Sequence, residues 1–134
     1  MAGQKNAGPL TKKAAGTIPA YSLVKQDANG DVVVCTGTAT DEALGATGER
    51  GVVAGEYVEV YPLNSEGTIL MRAAAALAIN VPVFQAASGE IDDLPASGAT
   101  THRRVGVTLE AAGAQGDIIE VMPEKSGVTV VAPT

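Results

Sequence analysis

Ala43–Pro62 reads ALGATGERGVVAGEYVEVYP, and Arg104–Pro123 reads RVGVTLEAAGAQGDIIEVMP. The two stretches align without a gap and share seven residues: Gly45/Gly106, Thr47/Thr108, Glu49/Glu110, Gly55/Gly116, Glu59/Glu120, Val60/Val121 and Pro62/Pro123. Gly55 to Val60 reads as a strand that Pro62 closes. Working outward, Ile18–Val24 (IPAYSLV) is echoed by Leu77–Val83 (LAINVPV). Asn29-Gly30-Asp31-Val32 is echoed by Ser88-Gly89-Glu90-Ile91. The chain thus carries a hairpin-plus-strand unit twice, over approximately 17–62 and 76–123. Neither half can cover its own apolar face, so half should pack on half. The expected fold is all-β, a small pseudo-symmetric β-barrel or sandwich.

Local signals fill in the rest. Asn29-Gly30 lies between Leu23-Val24-Lys25 and Val32-Val33-Val34, a hairpin signal because both central residues of the favoured turn take positive φ. Thr68–Arg72 is a further strand. Ala73–Ala76 has helix propensity, but four residues are too few for a helix, so it reads as the end of that strand. Asp92–Thr101 is a polar, exposed loop, and Gly127–Val131 is a last edge strand or an inter-subunit strand. Met1–Gly16 (MAGQKNAGPLTKKAAG) has no apolar periodicity and reads as a flexible arm that orders only on a partner. Residues 17–134 form the single β domain.

Composition sets the terms for the core. Hydrophobic residues are 46% of the 134, yet aromatics are only 3%, so Ala and Val carry the burial. Each removes little apolar area, worth about 25 cal/mol per Å². A thin interior of this kind gains from burying more surface on a partner. Cys35 is the only cysteine, which excludes an internal disulfide and a two-cysteine metal motif. No charged, then apolar, then small leader opens the sequence, and no apolar run approaches the roughly 20 residues that span a bilayer, so neither secretion by a signal nor a membrane anchor is expected. Charge is unevenly placed. Through Lys25 the chain has four lysines and no acid, +4, while the remainder has five Lys/Arg against fifteen Asp/Glu, −10, for a total of −6. A basic arm on an acidic body suits an acidic protein surface or another polyanion.

Residues capable of chemistry are few. Asp27, Asn29 and Asp31 open like a calcium loop, but its sixth and twelfth positions hold Val32 and Thr38 instead of Gly and Glu, so a hairpin turn is expected. Glu90, Asp92 and Asp93 are an acidic cluster, yet neighbouring strand residues point to opposite faces. His102, the only histidine, sits in a polar, basic stretch and reads as a surface or interface residue. Cys35 ends a Val run and reads as a small buried hydrophobe. Gly45, Gly48 and Gly51 lack the Lys-Ser/Thr ending of a phosphate loop and read as turn glycines. There is no Trp, and the three tyrosines are not interleaved with Lys/Arg, so a nucleic-acid stacking groove is not expected. The sequence leads to no enzyme activity, no cofactor and no metal.

The order of these motifs resembles the capsid cement, or decoration, proteins of tailed bacteriophages. The resemblance is carried by Ala15-Gly16-Thr17-Ile18-Pro19-Ala20 running into Leu23-Val24-Lys25 and the Asp-Asn-Gly-Asp-Val hairpin. Gly45 with Gly55–Val60 adds to it, as do Arg104–Ala112 and Gly116–Val121. It implies a β-rich body that forms a homotrimer on the outer surface of a virion, made in the bacterial host cytoplasm, binding the major capsid protein and stabilising contacts between its subunits. It implies no catalytic residues. The capsid-binding arm would then use Lys5, Leu10, Lys12, Lys13, Ile18 and Pro19. The alternative is a ligand- or carbohydrate-binding β module on a virion or cell surface.

Overall fold

Val58 and Val60 are buried while Tyr57, Glu59 and Tyr61 are exposed, the two-residue period of a strand with unlike faces. A computed structural model describes residues 8–37, 41–64, 67–94, 100–125 and 129–131. They form an all-β structure of two antiparallel sheets in a sandwich-like arrangement. The first sheet holds β1 (Leu10–Lys13), β2 (Leu23–Gln26), β3 (Val32–Val34), β4 (Gly45–Thr47) and β5 (Tyr57–Pro62), in the spatial order β1-β5-β4-β2-β3. The second holds β6 (Ile69–Arg72), β7 (Pro82–Gln85), β8 (Ile91–Asp92), β9 (Thr101–Thr108) and β10 (Ile118–Pro123), in the order β6-β10-β9-β7-β8. The second order repeats the first strand for strand. A short β11 (Thr129–Val131) pairs with the start of β9 as an added edge strand. No helix among the described residues is long and apolar enough to cross a membrane.

The duplication is deeper than strand order. Ala14 bridges Val32 as Ala73 bridges Ile91, and Ile18 bridges Val52 as Leu77 bridges Ala112. The Ala14–Val32 and Ala73–Ile91 bridges bring the two end strands of each sheet together at one point, without closing a hydrogen-bonded barrel. Inside the curl of the first sheet lie Ala14, Ile18, Val24, Val32, Val52, Val58 and Val60. Their counterparts Ala73, Leu77, Val83, Ile91, Ala112, Ile119 and Val121 fill the second. Each half therefore owns a miniature core of small and branched residues. The second of these merges with Leu23, Cys35, Ala43, Ala46 and Leu63, which the first half presents outward, into one larger core.

The residues shared by the two halves make the same bonds. Thr47 Oγ1 accepts from the Ser22 amide at 3.0 Å and donates to the Pro19 carbonyl at 3.3 Å. Thr108 Oγ1 accepts from the Val81 amide at 3.1 Å and donates to the Ala78 carbonyl at 2.7 Å. Gly55 and Gly116 take φ of +91° and +92°, where a side chain is strained. From that turn their amides donate to the carbonyls of Ala14 and Ala73. Gly45 and Gly106 are matched for another reason: a Cβ on either would run into the carbonyl oxygen of the paired strand, at Tyr61 and Met122.

Four expectations change. The repeat begins at Leu10 and Ile69, earlier than 17 and 76. Leu10–Lys13 pairs with Val60–Tyr57 as Ile69–Arg72 pairs with Val121–Ile118. Sequence hid this because the two strands, LTKK and ILMR, share a position in the ladder but not an apolar pattern. The arm expected to reach Gly16 therefore gives up residues 10–14 to the body; Met1–Ala7 lies outside the described residues. The β2–β3 connection is a five-residue loop, with Gln26 opposite Val32, in which Gly30 has positive φ and Asn29 does not. The Asp27 carboxylate holds this wider turn by accepting from the amides of Asn29 and Asp31 at 2.9 and 3.0 Å. Finally, Gly45 belongs to a strand, where close approach replaces turn geometry as its reason.

Candidate functional site

The acidic cluster does not gather into one three-carboxylate site. Glu90 is buried and faces the Arg72 guanidinium at 3.4 Å, whereas Asp92 accepts from the Asp93 amide at 2.9 Å. Burial pushes the Asp92 carboxyl above the usual carboxylate range; the Asp93 amide bond opposes this and the Asp93 charge adds to it. His102 stands within β9. Its Nε2 lies 2.8 Å from Thr100 Oγ1, and its ring meets Phe84 edge-on at 6.4 Å. Cys35 is fully buried, and desolvation pushes its thiol up to about 12, so it is uncharged at neutral pH. Among the described residues no three of His, Cys, Asp and Glu gather where they could hold a metal ion.

One charged group missed by sequence reasoning is Asp41, which is buried and braces the first half. Its carboxylate accepts from Lys25 Nζ at 2.5 Å, from the Thr36 amide at 2.6 Å and from Thr36 Oγ1 at 2.7 Å. Burial alone would raise its pKa, but the bonds from Lys25 and Thr36 outweigh this and hold it below 3.8. The same bond to Asp41 raises Lys25 above 10.5. A carboxylate with a depressed folded pKa contributes stability above its unfolded pKa and loses it as pH falls through the folded value. A lysine with a raised pKa contributes below its unfolded pKa and loses it as pH rises through the folded value. Asp41→Asn is therefore expected to cost about 2 kcal/mol in urea unfolding between roughly pH 5 and pH 10, with the difference from the native chain narrowing on either side. A cost that stays constant down to pH 2 would show that the carboxylate charge is immaterial.

The arm residues part company. Lys5 lies outside the described residues. Leu10 and Lys12 are half-buried on one face of β1, and Lys13 is exposed on the other. Ile18 is 1% exposed and bonded to Val52 through both its backbone groups, so it is a core residue and not a partner contact. Pro19 is exposed, but its carbonyl is occupied by Ser22 Oγ at 2.8 Å and by Thr47. What remains of the expected site is a basic strand edge, not a continuous apolar arm.

Where β6 crosses the outer face of the first half, a cavity of about 310 Å³ opens to solvent. Tyr21, Glu49 and Tyr61 line it from the first half, and Thr68, Ile69 and Leu70 from the second. Burial raises the pKa of Tyr61, with the Glu59 charge adding, and its hydroxyl donates to Glu59 at 3.4 Å. The seam is otherwise closed by polar clamps. Arg72 donates across it to the Ala20 carbonyl at 3.1 Å, and within its own half to the Ser88 carbonyl at 2.7 Å. Gln85 spans to the first half through the Ala43 amide and the Asp41 carbonyl, both at 3.1 Å.

No family model and no curated protein matches this sequence. Among solved structures, the fold is similar to that of the N base of the head fibre gp8.5 of bacteriophage phi29, with a TM-score of 0.63 at 16% sequence identity. The match covers 90% of this chain and 96% of that one, so the paired-sheet architecture is shared along nearly the whole length of both.

Proposed function

We propose that this protein is a non-enzymatic structural component of a phage virion that binds the outside of the head as a homotrimer and cements contacts between major capsid protein subunits. The observation that carries this reading is the fold likeness, over 90% of this chain, to the N base of a phage head fibre. The physical design agrees with it. Small-residue cores leave stability to be gained from partners, and a trimer touching several shell subunits multiplies modest contacts into avidity. The basic amino-terminal segment around Lys5 and Lys12 supplies attraction to an acidic shell surface, while the −10 body keeps neighbouring copies from sticking indiscriminately.

Light scattering of the full chain is expected to give three copies of 13.4 kDa, about 40 kDa. The protein should co-sediment with capsids of its host phage in a salt-sensitive manner. Removal of residues 1–7 is expected to weaken that co-sedimentation while leaving the melting temperature unchanged. Equal binding by the shortened chain would remove the arm from the reading, and no binding by the native chain would end it.

One observation favours a second reading, a carbohydrate-binding module: Tyr21 and Tyr61 share the seam cavity with Glu49. Tyrosine faces beside a carboxylate suit a sugar ring. Reproducible signals on a glycan array, lost in Tyr61→Ala, would establish it.

A further inference from the structure

The two halves carry the same face, and only one of the two is covered. Leu23, Ala46 and Tyr61 form a row across β2, β4 and β5. The register places Pro82, Val107 and Met122 in the same row across β7, β9 and β10. Leu23 and Ala46 are fully buried, because the second half lies over them. Pro82 is exposed, Val107 half-buried and Met122 46% exposed, and Ile79, the counterpart of Ala20, is 53% exposed. Among the described residues nothing plays, for the second half, the part that the second half plays for the first.

The covering surface is also duplicated and also used once. Against the first row stand Leu70 of β6, which lines the seam cavity with Tyr61, the Arg72 clamp on the Ala20 carbonyl, and Gly89, whose amide donates to the Cys35 carbonyl at 3.1 Å. A Cβ on Gly89 would crowd Ser22, Leu23 and Val34 at 3.0 Å, and its φ of +72° disfavours a side chain. The counterparts in the first half are Thr11, Lys13 and Gly30. Thr11 and Lys13 are exposed on the end strand of their sheet, and Gly30 has open space around it. The chemistry survives the change of residues: Lys13 and Asp31 stand where Arg72 and Glu90 stand, a cation and an acid in each half. Ile79 stands where Ala20 stands.

We propose that the contact between halves within one chain is repeated between chains, the row Pro82–Val107–Met122 with Ile79 receiving the β1 edge and the Asp27–Asp31 loop of a second copy. Lys13 of that copy takes the place of Arg72 and donates to the Ile79 carbonyl. Such a contact is heterologous: one surface docks on a different surface, so each added copy exposes the same face again and the series must close into a ring or grow as a filament. Three chains would close a ring of six halves. That number rests on the trimer proposed above; the surfaces themselves do not.

The test uses the full-length chain. Met122→Asp and Ile79→Asp place a charge on exposed positions of the face, and Lys13→Glu reverses the charge on the edge. Circular dichroism melts establish that each variant is folded. Each is expected to run as a 13.4 kDa monomer at concentrations at which the native chain is fully assembled, a loss of at least about 100-fold in association. A mixture of Met122→Asp with Lys13→Glu keeps one sound face and one sound edge, so it is expected to stop at a heterodimer. Native-size assemblies of folded Met122→Asp and Ile79→Asp would overturn the proposed surfaces while leaving the trimer standing. Native assemblies of another number that fall apart in the same variants would uphold the surfaces and overturn the trimer. A native chain that stays monomeric throughout would overturn both.

Discussion

Gly45→Val and Gly106→Val are each expected to destroy the fold, costing at least about 4 kcal/mol, most of the stability of a domain this size. The Cβ would meet backbone and not a yielding side chain. At Gly45 it would sit against the Tyr61 carbonyl group and 2.9 Å from the Pro62 Cα; at Gly106 it would strike the Met122 carbonyl and lie 2.7 Å from Val121 Cγ1. Relief requires β4 to move away from β5, or β9 from β10, which breaks the ladder that holds Thr47 opposite Val60 and Thr108 opposite Val121. Both valines are at 0% exposure, so the movement would open each miniature core to water. Gly16→Ala is the control, since no atom lies within 4 Å of its added Cβ and its φ is not positive. That variant should melt within a few degrees of the native chain. Soluble, cooperatively melting Gly45→Val protein would mean that the strands are not as close as described.

The matched residues explain why the duplication was legible in sequence. Gly45/Gly106, Thr47/Thr108 and Gly55/Gly116 survive because each does something no other residue does at that point: close approach, two hydrogen bonds at once, or positive φ. Burial tolerates more exchange, which is why Ile18/Leu77 and Val58/Ile119 are alike without being identical. Strands held mainly by their backbone leave the weakest trace. β1 and β6 share a register but carry Lys12 against Met71, because Met71 is buried in the joint core and Lys12 reaches solvent. The turn glycine at 30 was legible, whereas the way Asp27 ties the loop was not, since it depends on a side chain choosing backbone amides over a cation. Sequence also could not say which copy of the repeated face would be covered. Leu23 against Pro82 and Ala46 against Val107 are all apolar, and only three-dimensional placement distinguishes the buried pair from the open one. Asp41 escaped notice because two adjacent acids, Asp41 and Glu42, carry no pattern of their own.

A chain beginning at Gly16 is expected to be largely unfolded, whereas one beginning at Gly8 should melt with the native protein. The two differ by Gly8 and Pro9, by β1, and by Ala14 and Ala15 at its end. Starting at Gly16 removes the pairing of Leu10–Lys13 with β5, which leaves β5 as the edge of its sheet. Ala14, at 1% exposure, goes with it, together with its two bonds to Gly55 and Glu56 and the Ala15 bond to the Val32 carbonyl. The first half would lose the bridge that joins the ends of its sheet, and Val58 and Val60 would be partly uncovered. At about 1 kcal/mol for each lost hydrogen bond and a further 1 to 2 for each uncovered valine, the sum exceeds 4 kcal/mol. Circular dichroism melts and hydrogen exchange of the β5 amides are the measurements. Protected β5 amides and an unchanged melt in the chain starting at Gly16 would make residues 8–15 the dispensable arm that the sequence suggested. A collapse of protection confined to the first half would show that the two miniature cores fold with separate stabilities.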